Sequence, residues 1–104
     1  MADIHKQGLG ITEVIGNKRE AILQLAHDHK AYNIRIFGSV ARGEATDQSD
    51  VDFLVDFQPD YRLFDHIGLK QSLEDLLGRK VDVAIERLLR DEFRPYVMRD
   101  VVAL

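Results

Sequence analysis

"FGSVARGEATDQSDVDF", residues 37–53, passes from an apolar residue through a small, turn-prone loop and back into alternating apolar and acidic positions. The alternation predicts a strand over 51–55, "VDFLV", in which Val51, Phe53 and Val55 share one face while Asp50, Asp52 and Leu54 share the other. Acids at i and i+2 of a strand point the same way, about 7 Å apart along the backbone, and at neutral pH they repel each other. Flanked by Val51, Phe53, Leu54 and Val55, Asp52 is expected to be partly buried, where an unpaired charge costs on the order of several kcal/mol. The pair therefore asks for something positive between its members.

A divalent cation answers that requirement. Magnesium takes hard oxygen ligands and typically accepts one or two carboxylates plus substrate phosphates. Two such ions brace the attacking and leaving oxygens of an in-line phosphoryl displacement. Asp82 is the candidate third carboxylate: "KVDVAI", residues 80–85, reads as a further strand with Val81 and Val83 on one side and Asp82 on the other. The loop before the pair offers a place for a polyphosphate. Gly38 leaves backbone N–H groups unobstructed, Ser39 adds a hydroxyl, and a small helix expected near Val40 aims its positive end at an anion. Arg42 either adds charge there or braces the loop.

Outward from this stretch, apolar spacing predicts a helix from about Thr12 to His29, with a tolerated glycine at Gly16. "NIRIF", 33–37, reads as a strand stopping at Gly38. After the turn at Pro59, a leucine-rich stripe from Leu63 to Leu77 ends at Gly78, a good C-terminal cap. The tail from Glu86 to Met98 reads as helix interrupted near Pro95, and "VVAL" as a short last strand. The expected fold is α/β (α+β): a small mixed sheet flanked by helices.

With 104 residues the chain is expected to be one domain, 1–104, burying roughly two-thirds of its unfolded surface. Its 45% hydrophobic and 31% charged residues are those of a globular protein, and no apolar run approaches the length that spans a bilayer. Without cysteine or a secretory signal it is expected in the cytoplasm. A net charge of −4 argues against a broad surface for free nucleic acid.

Gly38-Ser39, ten intervening residues, then Asp50-x-Asp52 resembles the signature of the polymerase-β-like nucleotidyltransferase superfamily. More narrowly, "FGSVARGEATDQSDVDFLVDF" with the following leucine-rich helix and "LGRKVDV" is similar to the minimal nucleotidyltransferases encoded beside HEPN-domain partners as toxin–antitoxin pairs. The resemblance runs from about Ile34 to the C-terminus and implies a polymerase-β-like core. It implies a nucleotide triphosphate at Gly38 and Ser39, with Arg42 and Ser49 as further nucleotide-binding candidates. Two magnesium ions are implied on Asp50 and Asp52, with Asp82 as third ligand and proton acceptor. The implied activity is AMP transfer from ATP to a tyrosine hydroxyl of the HEPN toxin, which silences it.

Other readings of the same letters fare less well. "GSVARG" fills half of a P-loop, but Glu44-Ala45 stands where Lys and Ser or Thr are needed. An EF-hand fails because Leu54 and Val55 replace an oxygen ligand and the turn glycine. Asp47, Ser49 and Asp50 also suit a plain turn, and Asp56 a solvated strand end. His27 and His29 do not share a helix face, and His5 and His66 have no obvious ligand partner. The leucine stripe is most simply core, and "ERLLRDEFR" an amphipathic, partly solvated helix. Two other functions stay open: a binding module that neutralises its partner by occlusion, and a transferase for a small hydroxylated acceptor such as an aminoglycoside. A chain with no room for an acceptor-holding domain favours a protein acceptor that docks by its own surface.

Overall fold

The computed structural model describes residues 8–104, so His5 lies outside the described residues. In chain order it contains α1 (Ile11–Ile15), α2 (Arg19–Asp28), β1 (Ala31–Phe37), α3 (Gly38–Arg42), β2 (Val51–Phe57), α4 (Leu63–Leu77) and β3 (Val81–Ile85). A single 3₁₀ turn (Glu86–Leu88), α5 (Arg94–Asp100) and β4 (Val102–Ala103) follow. The strands form one mixed sheet in the order β3-β2-β1-β4, β1 antiparallel to both β2 and β4, and β2 parallel to β3. This is the expected small mixed sheet with flanking helices. A parallel pair needs a crossover connection, and α4 supplies it.

The period-2 apolar face of the strands builds the core. Ile34 and Ile36 of β1, Val51, Phe53 and Val55 of β2, and Val81, Val83 and Ile85 of β3 are buried. Ile22 and Ala26 of α2 and Leu69 and Leu73 of α4 belong to the same cluster, so these two helices cover one face of the sheet. Leu54 is fully buried but points to the opposite face, where the 3₁₀ turn and α5 come against β2 and β1. The acids at 52 and 82 belong to that second face.

Three expectations change in detail. The helix foreseen over 12–29 is two helices, because Gly16 adopts φ 55°, ψ −129°, a backbone state that favours glycine and turns the chain between α1 and α2. The helix foreseen from Glu86 is a 3₁₀ turn at Glu86–Leu88 followed by non-helical residues 89–93, and Pro95 sits in the first turn of α5, where its missing N–H costs no hydrogen bond. Asp56 is not a solvated end: β2 continues to Phe57, and Asp56 accepts a 2.9 Å hydrogen bond from Asn33 Nδ2 and lies 3.5 Å from the Arg35 guanidinium. Helix α4 spans Leu63–Leu77 as expected, with Gly78 in the left-handed conformation at its end. No helix among the described residues is long and apolar enough to cross a membrane.

Candidate active site

Register decides where the carboxylates meet. In the parallel β2–β3 ladder Asp52 pairs with Asp82 and Val51 with Val81, so the two acids stand side by side on one sheet face. Asp50 precedes Asp52 by two residues, and all three carboxylates line one cleft of about 710 Å³ whose wall continues past β3 to residues 70–75 of α4. Asp50 and Asp82 are exposed, whereas Asp52 is partly buried. Burial, then the neighbouring charges of Asp82 and Asp50, push the Asp52 carboxyl up from 3.8 to about 6, against an opposing pull from Arg42. The repulsion expected from the sequence is therefore present in the fold.

The loop carrying Asp50 is fixed from several sides. Ser49 Oγ accepts a 2.8 Å hydrogen bond from the Thr46 N–H, and the Gln48 N–H donates to Thr46 Oγ1 at 3.1 Å. From the β3 side, Arg79 donates to the carbonyls of both Thr46 and Ser49 at 3.1 Å. Leu9 and Ala45 exchange backbone hydrogen bonds of 2.8 and 3.1 Å, and a side chain at Gly8 would overlap the Gly43 carbonyl. The N-terminal segment, in which no motif is legible, thus steadies the loop that leads to the acids.

Gly38 begins α3, two residues earlier than the helix start foreseen near Val40. It has φ +75°, and a Cβ there would overlap Oδ2 of Asp52 and lie 3.2 Å from its Cγ. The turn and the central acid are therefore in direct contact, which is possible only without a side chain at 38. No side chain caps the first turn of α3, and the Ser39 hydroxyl has no protein partner among the described residues. Of the two arrangements open to Arg42, the bracing one is present: Nε donates to Glu44 and a terminal nitrogen to Asp100, both at 3.0 Å. Arg42 thereby ties α3 to α5 while its field reaches Asp52.

Among the described residues no three His, Cys, Asp or Glu side chains form a ready-made metal cage. The donor set at 50, 52 and 82 nevertheless suits a hard cation, being all carboxylate oxygens on one face, with Asp52 carrying the electrostatic penalty that a cation relieves. Two histidines are held structurally: His29 Nδ1 meets the Leu25 carbonyl, and His66 Nε2 the Val83 carbonyl on the free edge of β3, both at 2.8 Å. Sequence reasoning passes over Lys80, although the alternation that turns Asp82 away from Val81 and Val83 puts Lys80 on the same side.

Comparison with known proteins agrees with this geometry. Residues 18–103 match the family model described as a nucleotidyltransferase domain. A relative from Thermococcus cleftensis, the protein adenylyltransferase MntA, is 45% identical over 69 residues, covering 66% of this chain and 70% of its own. A solved chain provisionally designated a minimal nucleotidyltransferase superposes with a TM-score of 0.79 at 43% identity, covering 98% of this chain and all of that one. A second, from a toxin–antitoxin crystal structure with AMP-PNP, gives a TM-score of 0.70 at 25% identity over 84% of this chain and 71% of that one. With the glycine turn against a central acid and the acid row running across a parallel strand pair, the chain belongs to the nucleotidyltransferase domain family, in its minimal branch of MntA-type protein adenylyltransferases.

Proposed function

We propose that this chain is a magnesium-dependent antitoxin that transfers AMP from ATP to a tyrosine hydroxyl of a cognate HEPN-type toxin in the cytoplasm and so neutralises it, residues 1–104 acting as one domain. The observation that carries this reading is the Asp52–Asp82 register, with Asp50 in the same cleft and Gly38 against Asp52. The name of the Thermococcus relative and the AMP-PNP found with the toxin–antitoxin neighbour support the choice of adenylyl transfer and of a protein acceptor.

In this assignment the N–H groups of the Gly38 turn and the Ser39 hydroxyl hold the triphosphate. Ser49 and Arg79 keep Asp50 in place. Arg42 steadies α3 beneath the phosphates and tempers the rise of the Asp52 carboxyl. Magnesium bound by Asp50, Asp52 and Asp82 supplies charge neutralisation at the reacting phosphoryl group. Asp82, exposed on the edge strand, accepts the proton of the acceptor hydroxyl. The hydroxyl oxygen bonds to the α-phosphorus, the bond to the bridging oxygen breaks, and pyrophosphate leaves with its electron pair.

The test is to incubate the chain with the partner encoded beside it, magnesium and ATP, and weigh the partner by intact mass spectrometry. AMP adducts that disappear with Asp50→Ala/Asp52→Ala support transfer. An unmodified partner that is nonetheless fully neutralised would mean occlusion.

A further inference from the structure

The acid row has a fourth corner. Because Asp52 pairs with Asp82 in a parallel ladder, Lys80 stands beside Asp50, an arrangement fixed by the hydrogen bond of 3.0 Å from the Val51 N–H to the Lys80 carbonyl. Period-2 alternation sends the side chains of 80 and 82 to one face, and Lys80 lines the same cleft as the three carboxylates. It also lines the adjoining cavity of about 330 Å³ with Ser49 and Asp50.

The other cations around this cleft are already engaged. Lys70 is paired with Glu74 at 2.9 Å, and Arg79 is spent on the carbonyls of Thr46 and Ser49. On the far side of Asp52, Arg42 is held by Glu44 and Asp100. The Lys80 side chain alone among these has no hydrogen bond or ion pair to a described residue, although its field, after the Val81 N–H and Lys70, helps to hold the Glu74 carboxyl low. An ammonium on the wall of the cleft that the three carboxylates line is placed for an anion that the carboxylates reach through a cation.

Its position on the sheet says which part of the nucleotide it meets. Crossing the sheet from β1 to β3 runs from Gly38 through Asp52 to Asp82 and Lys80. With the terminal phosphates at Gly38, the phosphoryl group being transferred falls on the β3 side, where the acceptor arrives. Resting on the adenylyl-transfer reading above, we infer that Lys80 is a further substrate-contacting residue that binds the α-phosphoryl group of the nucleotide. An ammonium there meets the negative charge that develops as the acceptor oxygen attacks, the kind of contact whose loss lowers rate by about 10²-fold or more.

The test uses the full chain and has a readout apart from turnover. Binding of AMP, which carries only the α-phosphoryl group, and of adenosine, which carries none, is titrated by NMR for wild type, Lys80→Ala and Lys80→Arg. The expected result is an AMP affinity about tenfold weaker in Lys80→Ala, the loss of one charge-assisted contact, restored at least partly in Lys80→Arg, with adenosine affinity unchanged. Transfer to the partner should fall about 100-fold, mainly in kcat. Because Lys80 is exposed, thermal melts of all three should coincide. Wild-type AMP affinity and kcat in Lys80→Ala would overturn the assignment while leaving transfer by the wild-type chain intact. A wild-type chain that modifies no partner yet loses AMP affinity in Lys80→Ala would refute the transfer reading and keep the Lys80 contact.

Discussion

Replacing Gly38 by alanine separates two consequences of one methyl group. Gly38 and Gly43 both have φ +75°, but a Cβ at Gly43 meets nothing within 4 Å, whereas one at Gly38 overlaps the Asp52 carboxylate. Both substitutions carry the same left-handed strain, about 1–2 kcal/mol, which lowers the melting temperature of a domain this size by roughly 5–15 °C. Only Gly38→Ala also displaces a site residue. For Oδ2 of Asp52 to regain van der Waals separation it must retreat by roughly 1 Å, and a displacement of that size at a reacting centre lowers rate by about 10²-fold. Time courses of AMP incorporation into the partner, read by intact mass below the melting point of both variants, should show Gly43→Ala close to wild type and Gly38→Ala about 100-fold slower. Equal rates for the two variants would refute the claim that the glycine turn exists to admit Asp52.

Two further outcomes follow from the electrostatics. Asp52 titrates at about 6 in the fold against 3.8 ordinarily, so between those values the folded chain holds a proton that the unfolded chain has released, and stability declines as pH rises through that window. Asp52→Asn should therefore be more stable than wild type by about 1–2 kcal/mol near pH 7.5 without divalent metal, allowing for the screening of a half-buried group, with the difference closing near pH 4. Urea unfolding at the two pH values checks this, and a less stable variant at pH 7.5 would contradict it. Arg35, only 7% exposed, is paired with Glu86, which it holds below the usual carboxylate range, and lies 3.5 Å from Asp56. Arg35→Met should cost roughly 2–3 kcal/mol by urea unfolding, less than for a fully buried pair because both acids reach solvent; a change below about 0.5 kcal/mol would show that the network adds nothing.

Most of the site was legible because its determinants are local. Period 2 in 51–55 and 80–85 fixed which side chains share a face, and the Gly-Ser turn before Asp50 marked the bend that lies against Asp52. Strand pairing was not local, and the Asp52–Asp82 register, on which the site depends, had to come from the fold. The same dependence hid Lys80, whose significance appears only once it stands beside Asp50. The helix break at Gly16 was missed because a glycine within an apolar period is compatible with either outcome, and tertiary packing decides. Asp56 looked solvated because its partners, Asn33 and Arg35, lie on the neighbouring strand, where Asn33 occupies φ 54° at an irregularity in the ladder between Tyr32 and Arg35.

The most direct test is to crystallise the chain with a non-hydrolysable ATP analogue and manganese and to locate the metal by its anomalous scattering. The account predicts metal peaks shared by the carboxylates of residues 50, 52 and 82, with the analogue's phosphates reaching the N–H groups of residues 38 and 39. Metal bound elsewhere, or Asp82 directed away from it, would contradict the account.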